Sequence, residues 1–206
     1  LDDFLSRENA VKRPDLDSRL THLHRVTTRQ RAWPELNIFA FDHRKQLVDM
    51  AKAAGADVSH IPQLKLLLLQ AAEQAVQQAG IESKSGILAD TTFGQRTLNA
   101  ITGKNRWIGR PIELPGSRPL RLEHGNIGTQ LASWPMEHVV KCLVFYHPHD
   151  SAELREEQDA VLLDVWKGCN KSGHELLLEV ILPEGQPDRN EACYLAVLSH
   201  FYALGI

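Results

Sequence analysis

Lys141 and Glu179 are the residues whose positions most clearly suggest chemistry. Each interrupts an otherwise apolar run, at 139–146 and 175–182, and an unpaired charge is costly to bury in such a run. Because side chains alternate along a strand, the two can meet inside a barrel if their strands are neighbours. A structural ion pair is one interpretation. The other, which we favour, is a lysine and a carboxylate that tune each other for proton transfer or carbonyl chemistry.

A second candidate lies where the apolar run 36–41 is followed by three ionisable residues, Asp42, His43 and Arg44. Functional groups of parallel barrels lie at the carboxyl ends of the strands, so these residues predict the mouth of an active site. Asp90 ends the next predicted strand in the same way. For Asp90, capping of the following helix and a functional role are equally good interpretations.

The histidines are less informative. His124 lies beside Glu123 in a glycine-rich stretch and could line a pocket. The run 147–150, His-Pro-His-Asp, resembles a metal-binding cluster, but a loop followed by a helix cap explains it better, with Asp150 as the cap and Glu153 three positions on. We therefore predict no metal site. We also predict no cofactor, since no glycine-rich phosphate loop follows any predicted strand.

Alternating strands and helices are predicted to hold these residues. Apolar runs predict strands at 36–41, 86–90, 111–114, 139–146 and 175–182. Amphipathic stripes between them predict helices that end near glycines. This alternation indicates an α/β fold with a parallel sheet covered by helices, and the missing phosphate loop favours a (βα)8 barrel of the TIM type. Only the first five or so units are recognised, so we expect the chain to stop in mid-barrel.

Composition narrows the function classes. The chain has 206 residues and a formal net charge of -3, which gives no reason to expect nucleic acid binding. No apolar run approaches the length of a membrane span. Three widely separated cysteines suggest reduced thiols in a cytoplasmic protein. We predict a connector and one amphipathic helix at 1–33 and a partial barrel at 34–206, and the sequence leaves homo-oligomerisation open.

Five motifs together resemble one bacterial family. They are Phe41-Asp42-His43-Arg44-Lys45-Gln46-Leu47, Gly86-Ile87-Leu88-Ala89-Asp90 with Phe93-Gly94, Trp107-Ile108-Gly109-Arg110-Pro111 to Gly116, Lys141-Cys142-Leu143-Val144-Phe145-Tyr146-His147-Pro148, and His174 to Val180. Over essentially its whole length, the chain resembles the domain fused behind 5-dehydro-2-deoxygluconokinase in bacterial myo-inositol catabolism. The opening Phe4-Leu5-Ser6-Arg7-Glu8 resembles the tail of that sugar-kinase domain, so the resemblance implies a fused or adjacent kinase as a partner.

That family is in turn similar to class I tagatose-1,6-bisphosphate aldolases, which are (βα)8 barrels. The resemblance implies that a phosphorylated keto-sugar acid, 5-dehydro-2-deoxygluconate 6-phosphate, is cleaved through a Schiff base into dihydroxyacetone phosphate and malonate semialdehyde. Asp42, Lys141 and Glu179 match the aspartate, lysine and glutamate of the first, fourth and fifth aldolase strands. The aldolase pattern continues Asp-Gln-Arg, so His43 departs from it. The Schiff-base lysine itself is expected in a sixth strand, beyond Ile206.

The resemblance also implies roles for these residues. Asp42 is expected to accept the hydroxyl proton, Glu179 to transfer protons during iminium formation, and Lys141 to remain cationic. Substrate binding is expected from His43, Arg44, Asp90 and His124, of which the first two are expected to position the carboxylate or phosphate. Two alternatives remain open, a non-catalytic barrel that supports or regulates the kinase and a sugar-phosphate isomerase or epimerase.

Overall fold

The computed structural model describes Trp33, residues 35–186 and residues 188–206. Five parallel strands form one curled sheet, a half-barrel, in the order β1-β2-β3-β4-β5. Their bounds are β1 Asn37–Ala40, β2 Ser85–Leu88, β3 Trp107–Pro111, β4 His138–Phe145 and β5 Leu176–Ile181. The predicted α/β class with a parallel sheet is confirmed. The predicted connector and helix lie, apart from Trp33, outside the described residues.

Helices connect the strands and cover one face of the sheet. Their bounds are α1 Lys45–Ala53, α2 Ile61–Ala79, α3 Gln95–Ile101, α4 Ile127–Ala132, α5 Ala152–Ser172 and α6 Glu191–Leu204. Three of them end at glycines predicted as stop signals, Gly80, Gly173 and Gly205, each in the left-handed conformation. None of the helices in the described ranges is long and apolar enough to cross a membrane.

The order of the strands follows the order of the chain. Parallel neighbours need a crossover, and helical crossovers that return beside the strand they left produce this arrangement. In the register, Pro111 of β3 lies opposite Lys141 of β4, and Leu143 of β4 lies opposite Glu179 of β5. Lys141 and Glu179 are therefore diagonal neighbours on adjacent strands.

The main core lies between β4, β5 and the helices α5 and α6. Val140 and Val144 of β4 pack with Leu162 and Val165 of α5, and all four are essentially buried. The three cysteines are free and buried. Burial raises the pKa of Cys169 to about 12, so its thiol stays protonated and unreactive at neutral pH.

The predicted position of the third strand was wrong. We expected it at 111–114, but β3 occupies Trp107–Pro111. The strand was not recognised at 107–111 because it contains Gly109, and glycine is unusual in a strand. The position requires glycine, since a Cβ there would lie 2.5 Å from the Trp107 ring. Arg110 also made a buried strand look unlikely, because a charged residue is rarely buried. Its guanidinium carbon lies 4.1 Å from the centroid of the Trp134 ring.

The predicted cap of α5 was also wrong. Ser151, and not Asp150, caps the helix, with its hydroxyl accepting a hydrogen bond from Leu154 N at 3.3 Å. Asp150 instead accepts a hydrogen bond from His147 N at 3.0 Å and pairs with Arg118. An aspartate one residue earlier than the cap thus connects the loop after β3 to the loop after β4.

Candidate active site

A cavity of about 400 Å³ opens on the concave side of the sheet, at the carboxyl ends of the strands. Five of the seven predicted site residues line it, namely Asp42, His43, Arg44, Lys141 and Glu179. Its apolar wall comes from side chains of four strands, Ala40, Leu88, Leu143, Phe145 and Ile181. The segment 42–44, predicted to mark the mouth of an active site, lies on the wall of this cavity.

Lys141 is the centre of the site, and it is almost fully buried. Its Nζ lies 3.0 Å from Glu179 Oε2, 3.4 Å from Glu113 Oε1 and 3.6 Å from Asp42 Oδ2. The predicted meeting of Lys141 and Glu179 is confirmed. Burial alone would lower the pKa of Lys141, but the negative charges of Glu113, Asp42 and Glu179 outweigh it and raise the pKa. Lys141 is therefore an ammonium at neutral pH.

The three carboxylates around Lys141 differ in their access to solvent. The side chain of Glu179 is 46% exposed, that of Asp42 13% and that of Glu113 5%. Glu179 and Asp42 line the cavity and can meet a bound molecule. Glu113 also lines the cavity, but its side chain is almost fully buried, so it is suited to holding other side chains in place.

Glu113 is a site residue that sequence reasoning missed. It accepts hydrogen bonds from Arg44 Nη2 at 2.7 Å and from Leu143 N at 3.1 Å, in addition to its contact with Lys141. A signal was available, because Glu113 interrupts the short apolar run first expected to be the third strand. The argument that singled out Lys141 and Glu179 applies equally to this carboxylate.

Arg44 lines the cavity but its charge is already neutralised. Its Nη1 donates to the Glu113 carbonyl oxygen at 2.8 Å and to Glu123 Oε2 at 2.6 Å, and its side chain is 7% exposed. The structure therefore places Arg44 as an anchor between two loops, and not as a free cation for a substrate anion. His43, its neighbour, is exposed on the cavity wall.

Asp90 and His124 lie outside the cavity. Asp90 is fully buried, pairs with Lys65 and accepts a hydrogen bond from Phe93 N at 2.7 Å. Asp90 does not cap the following helix, whose N-cap is Gly94, and instead binds backbone in the turn before it. The functional role stays a prediction. His124 is about half exposed and lies 3.9 Å from Glu123 Oε2. Lys65 was also missed, although a lysine inside a leucine-rich stretch is a visible signal.

A second cavity of about 470 Å³ lies between β1, β2 and α2. Its wall is mainly apolar, and its two charged residues, Glu73 and Arg106, pair with each other at 3.4 Å. It offers few groups for chemistry. Although the first cavity is slightly smaller, we place the candidate site there because it collects ionisable side chains at the strand ends.

The run 147–150 is held by hydrogen bonds within the run and to a neighbouring loop. His147 Nδ1 accepts from His149 N at 3.2 Å, and Nε2 lies 2.7 Å from the Asp188 carbonyl oxygen. Both ring nitrogens of this buried histidine are thus in use. In the part of the chain that the structure describes, no group of three His, Cys, Asp or Glu side chains could hold a metal ion.

Comparison with known proteins places the chain in a family without assigning an activity. A family model described as "Uncharacterized protein conserved in bacteria (DUF2090)" matches residues 1–206. No curated protein matches the chain.

Proposed function

The chain belongs to this bacterial family, and we propose that it forms the aldolase part of an enzyme of myo-inositol catabolism. In this proposal, 5-dehydro-2-deoxygluconate 6-phosphate is cleaved into dihydroxyacetone phosphate and malonate semialdehyde. The observation that carries it is the ring of carboxylates, Asp42, Glu113 and Glu179, around the Lys141 ammonium at the open end of a parallel sheet. Three of these four residues match aldolase positions. The complete (βα)8 barrel and the attached sugar kinase belong to the same proposal.

Lys141 acts as a cation and not as the nucleophile. Its carboxylate neighbours raise its pKa, and an ammonium has no lone pair with which to attack a carbonyl carbon. Its charge instead stabilises the negative charge that develops on substrate oxygen in the transition state. The nucleophilic lysine is, by resemblance, a residue of the sixth barrel strand.

Asp42 accepts the proton that starts the cleavage. Once the substrate ketone at C5 is an iminium, Asp42 takes the proton of the C3 hydroxyl and the C3 oxygen becomes the aldehyde of malonate semialdehyde. The electron pair of the C3–C4 bond moves to the iminium and forms an enamine. Protonation at C4 and hydrolysis then release dihydroxyacetone phosphate and the free lysine. The Asp42 carboxylate lies on the cavity wall, where this hydroxyl can reach it.

Glu179 transfers protons while the iminium forms and breaks. Dehydration of the carbinolamine requires a proton for the departing hydroxyl, and hydrolysis requires the reverse transfer. Glu179 is half exposed and contacts Lys141 at 3.0 Å, so it can exchange protons with the cavity while staying oriented. The negative charges beside Lys141 also mean that the phosphate of the substrate binds elsewhere in the complete enzyme.

The proposal is tested with the full-length protein that contains this chain and its Asp42→Asn variant. We expect wild type to release dihydroxyacetone phosphate, measured by coupled reduction with glycerol-3-phosphate dehydrogenase. The variant should lose about 10²- to 10⁴-fold in kcat, the usual contribution of a positioned base. Asp49→Asn is the matched control, because Asp49 is an exposed aspartate of α1 that pairs only with the exposed Lys45 among the described contacts.

The same preparation distinguishes the alternatives. Borohydride added with substrate should trap a covalent adduct on one lysine, located by mass spectrometry. Release of an isomer without carbon–carbon cleavage would establish the isomerase or epimerase. A wild-type protein that leaves the substrate unchanged, while the attached kinase remains active, would overturn the proposal in favour of a supporting role.

A further inference from the structure

Lys65 is a fully buried lysine of α2 that lies outside the candidate site. Each hydrogen of its ammonium has an acceptor. Nζ donates to the carbonyl oxygens of Phe41 and His43, each at 2.9 Å, and to the carboxylate of Asp90. A side chain without exposed surface cannot touch a substrate, so any functional role of Lys65 acts through other residues.

The acceptors of Lys65 surround Asp42. Phe41 and His43 are the chain neighbours of Asp42, so one ammonium holds the backbone immediately before and after that residue. The ion pair with Asp90 connects the same point to the turn after β2, where the second carboxylate oxygen of Asp90 binds Phe93 N. The loops after β1 and β2 are thus joined to α2 at a single nitrogen atom.

We infer that Lys65 is a positioning residue for Asp42, which it holds so that the carboxylate lies 3.6 Å from Lys141 Nζ in the cavity. The inference rests on the proposed function, in which Asp42 accepts the substrate proton. It also gives Asp90 a role, as the counter-ion of the positioning lysine and not as a substrate contact.

The choice of lysine over an apolar residue supports a specific role. Position 65 lies in a leucine-rich helix, where a leucine or methionine would be buried without the cost of desolvating a charge. That cost is visible in the lysine itself, because burial lowers the pKa of Lys65 while the charge of Asp90 opposes the change. An apolar side chain cannot donate hydrogen bonds to the two loop carbonyls, and that is what the lysine provides.

A double-mutant cycle separates positioning from general stability. The substitutions Lys65→Met and Asp90→Asn, made together, remove the charges as a pair and leave an amide oxygen for Phe93 N. In the full-length protein, we expect this neutral pair to lower kcat about tenfold or more and to change KM by no more than about twofold. The reason is that a small displacement of a catalytic group lowers the reaction rate strongly. In the D42N background the neutral pair should lower kcat by less than about twofold, measured in single turnovers.

The matched control is Lys104→Met with Glu73→Gln, another lysine–carboxylate pair that involves α2 but is partly exposed and remote from the cavity. It should leave kcat unchanged in both backgrounds. Equal losses for the neutral pair with and without Asp42 would contradict positioning. If the methionine pair does not fold, Lys65→Gln with Asp90→Asn, which keeps an N–H donor at position 65, takes its place in the cycle.

A crystal structure of the neutral pair provides a test that does not depend on activity. We expect the Asp42–Lys141 contact to lengthen beyond about 4 Å, the usual limit of an ion pair. An unchanged contact would overturn the inference whatever the kinetics. The wild-type protein could also lack aldolase activity while the Asp42–Lys141 contact lengthens in the neutral pair. That result would overturn the proposed function and leave the positioning of Asp42 established.

Discussion

Lys141 and Lys65 are both buried lysines that pair with carboxylates, and they lie on different elements, β4 and α2. Lys141 projects from β4 into the cavity, among Asp42, Glu113 and Glu179. Lys65 projects from α2 into a closed space, with Asp90 as its ionic partner and two backbone carbonyls as its other acceptors. The two environments shift the pKa of lysine in opposite directions.

The number of full negative charges nearby explains the opposite shifts. Burial disfavours both ammonium groups, and it is the largest single influence on each. Three carboxylates overcome it at Lys141. At Lys65 the negative charges of Asp90 and Asp42 do not, and the positive charge of Arg44 adds to the lowering. The pKa of the lysine that faces the cavity is thus raised, while the pKa of the lysine that holds the loops is lowered.

The largest expected effect is the loss of stability on substituting Lys65→Met. The substitution leaves Asp90 buried without its cation, which typically costs about 3–5 kcal/mol. Denaturation by urea at neutral pH measures it as a shift of the midpoint. Adding Asp90→Leu should recover part of the loss, because no unpaired charge then remains. A single variant as stable as wild type would show that Asp90 finds another partner and would remove the contrast with Lys141.

The contrast also shows what the sequence could and could not predict. The period of two along strands and the neighbour order of parallel crossovers are local or general rules, so the meeting of Lys141 and Glu179 followed from them. Lys65–Asp90 and Arg44–Glu113 join residues 25 and 69 positions apart. No sequence periodicity relates such pairs. Their contacts can be recognised only in the folded structure, where the strand ends lie close together.

The wrong and missing predictions have one physical origin. Gly109 looked like a strand breaker because the Leu88 side chain of β2, which would lie 2.7 Å from a Cβ at this position, comes from another strand. Glu113 looked like part of a strand because its three hydrogen-bond donors come from distant loops and strands. In both cases a neighbour from elsewhere in the fold contributes to what the position requires.

His138 is a third buried basic residue, and unlike the two lysines it has, among the described residues, only positively charged groups acting on its pKa. Burial, with added repulsion from Arg110 and His174, lowers its pKa from 6.5 to about 4. The unfolded chain therefore takes up a proton at a higher pH than the folded protein does. The contribution of neutral His138 to the free energy of unfolding should be fully present above pH 6.5. It should be lost as the pH drops towards about 4, by about 3 kcal/mol in all. Midpoints of urea unfolding across this range measure the loss.

The control for this prediction is His138→Gln, which retains a donor for Thr102 Oγ1, now 2.9 Å from His138 Nε2. This variant should lose less stability between pH 6.5 and 4 than wild type, because it has no imidazole to protonate. Parallel curves for the two proteins would mean that the acid loss comes from other groups.

A smaller loss of stability is expected for Lys141→Met. Two of the three carboxylates it leaves behind retain other partners or solvent, since Glu113 keeps Arg44 and Leu143 N while Glu179 is half exposed. We expect a cost of about 1–2 kcal/mol at neutral pH, within the range for hydrogen bonds to charged groups. Because the pKa of Lys141 is raised above 10.5 in the folded protein, wild type should keep its advantage below that pH and lose it above. A cost equal to that of Lys65→Met would abolish the comparison.

The smallest loss of stability is expected on removing one of the two carboxylates that pair with Arg44. Glu113 and Glu123 both pair with Arg44, but Glu113 is the more buried and also holds Lys141. Glu123→Gln should cost less than about 1 kcal/mol, because Arg44 keeps one carboxylate and the amide oxygen still accepts a hydrogen bond. Glu113→Gln, the matched substitution, should cost clearly more because two cations lose a charge. Thermal unfolding compares them, and equal shifts would show that the charge of Arg44 does not depend on the buried carboxylate.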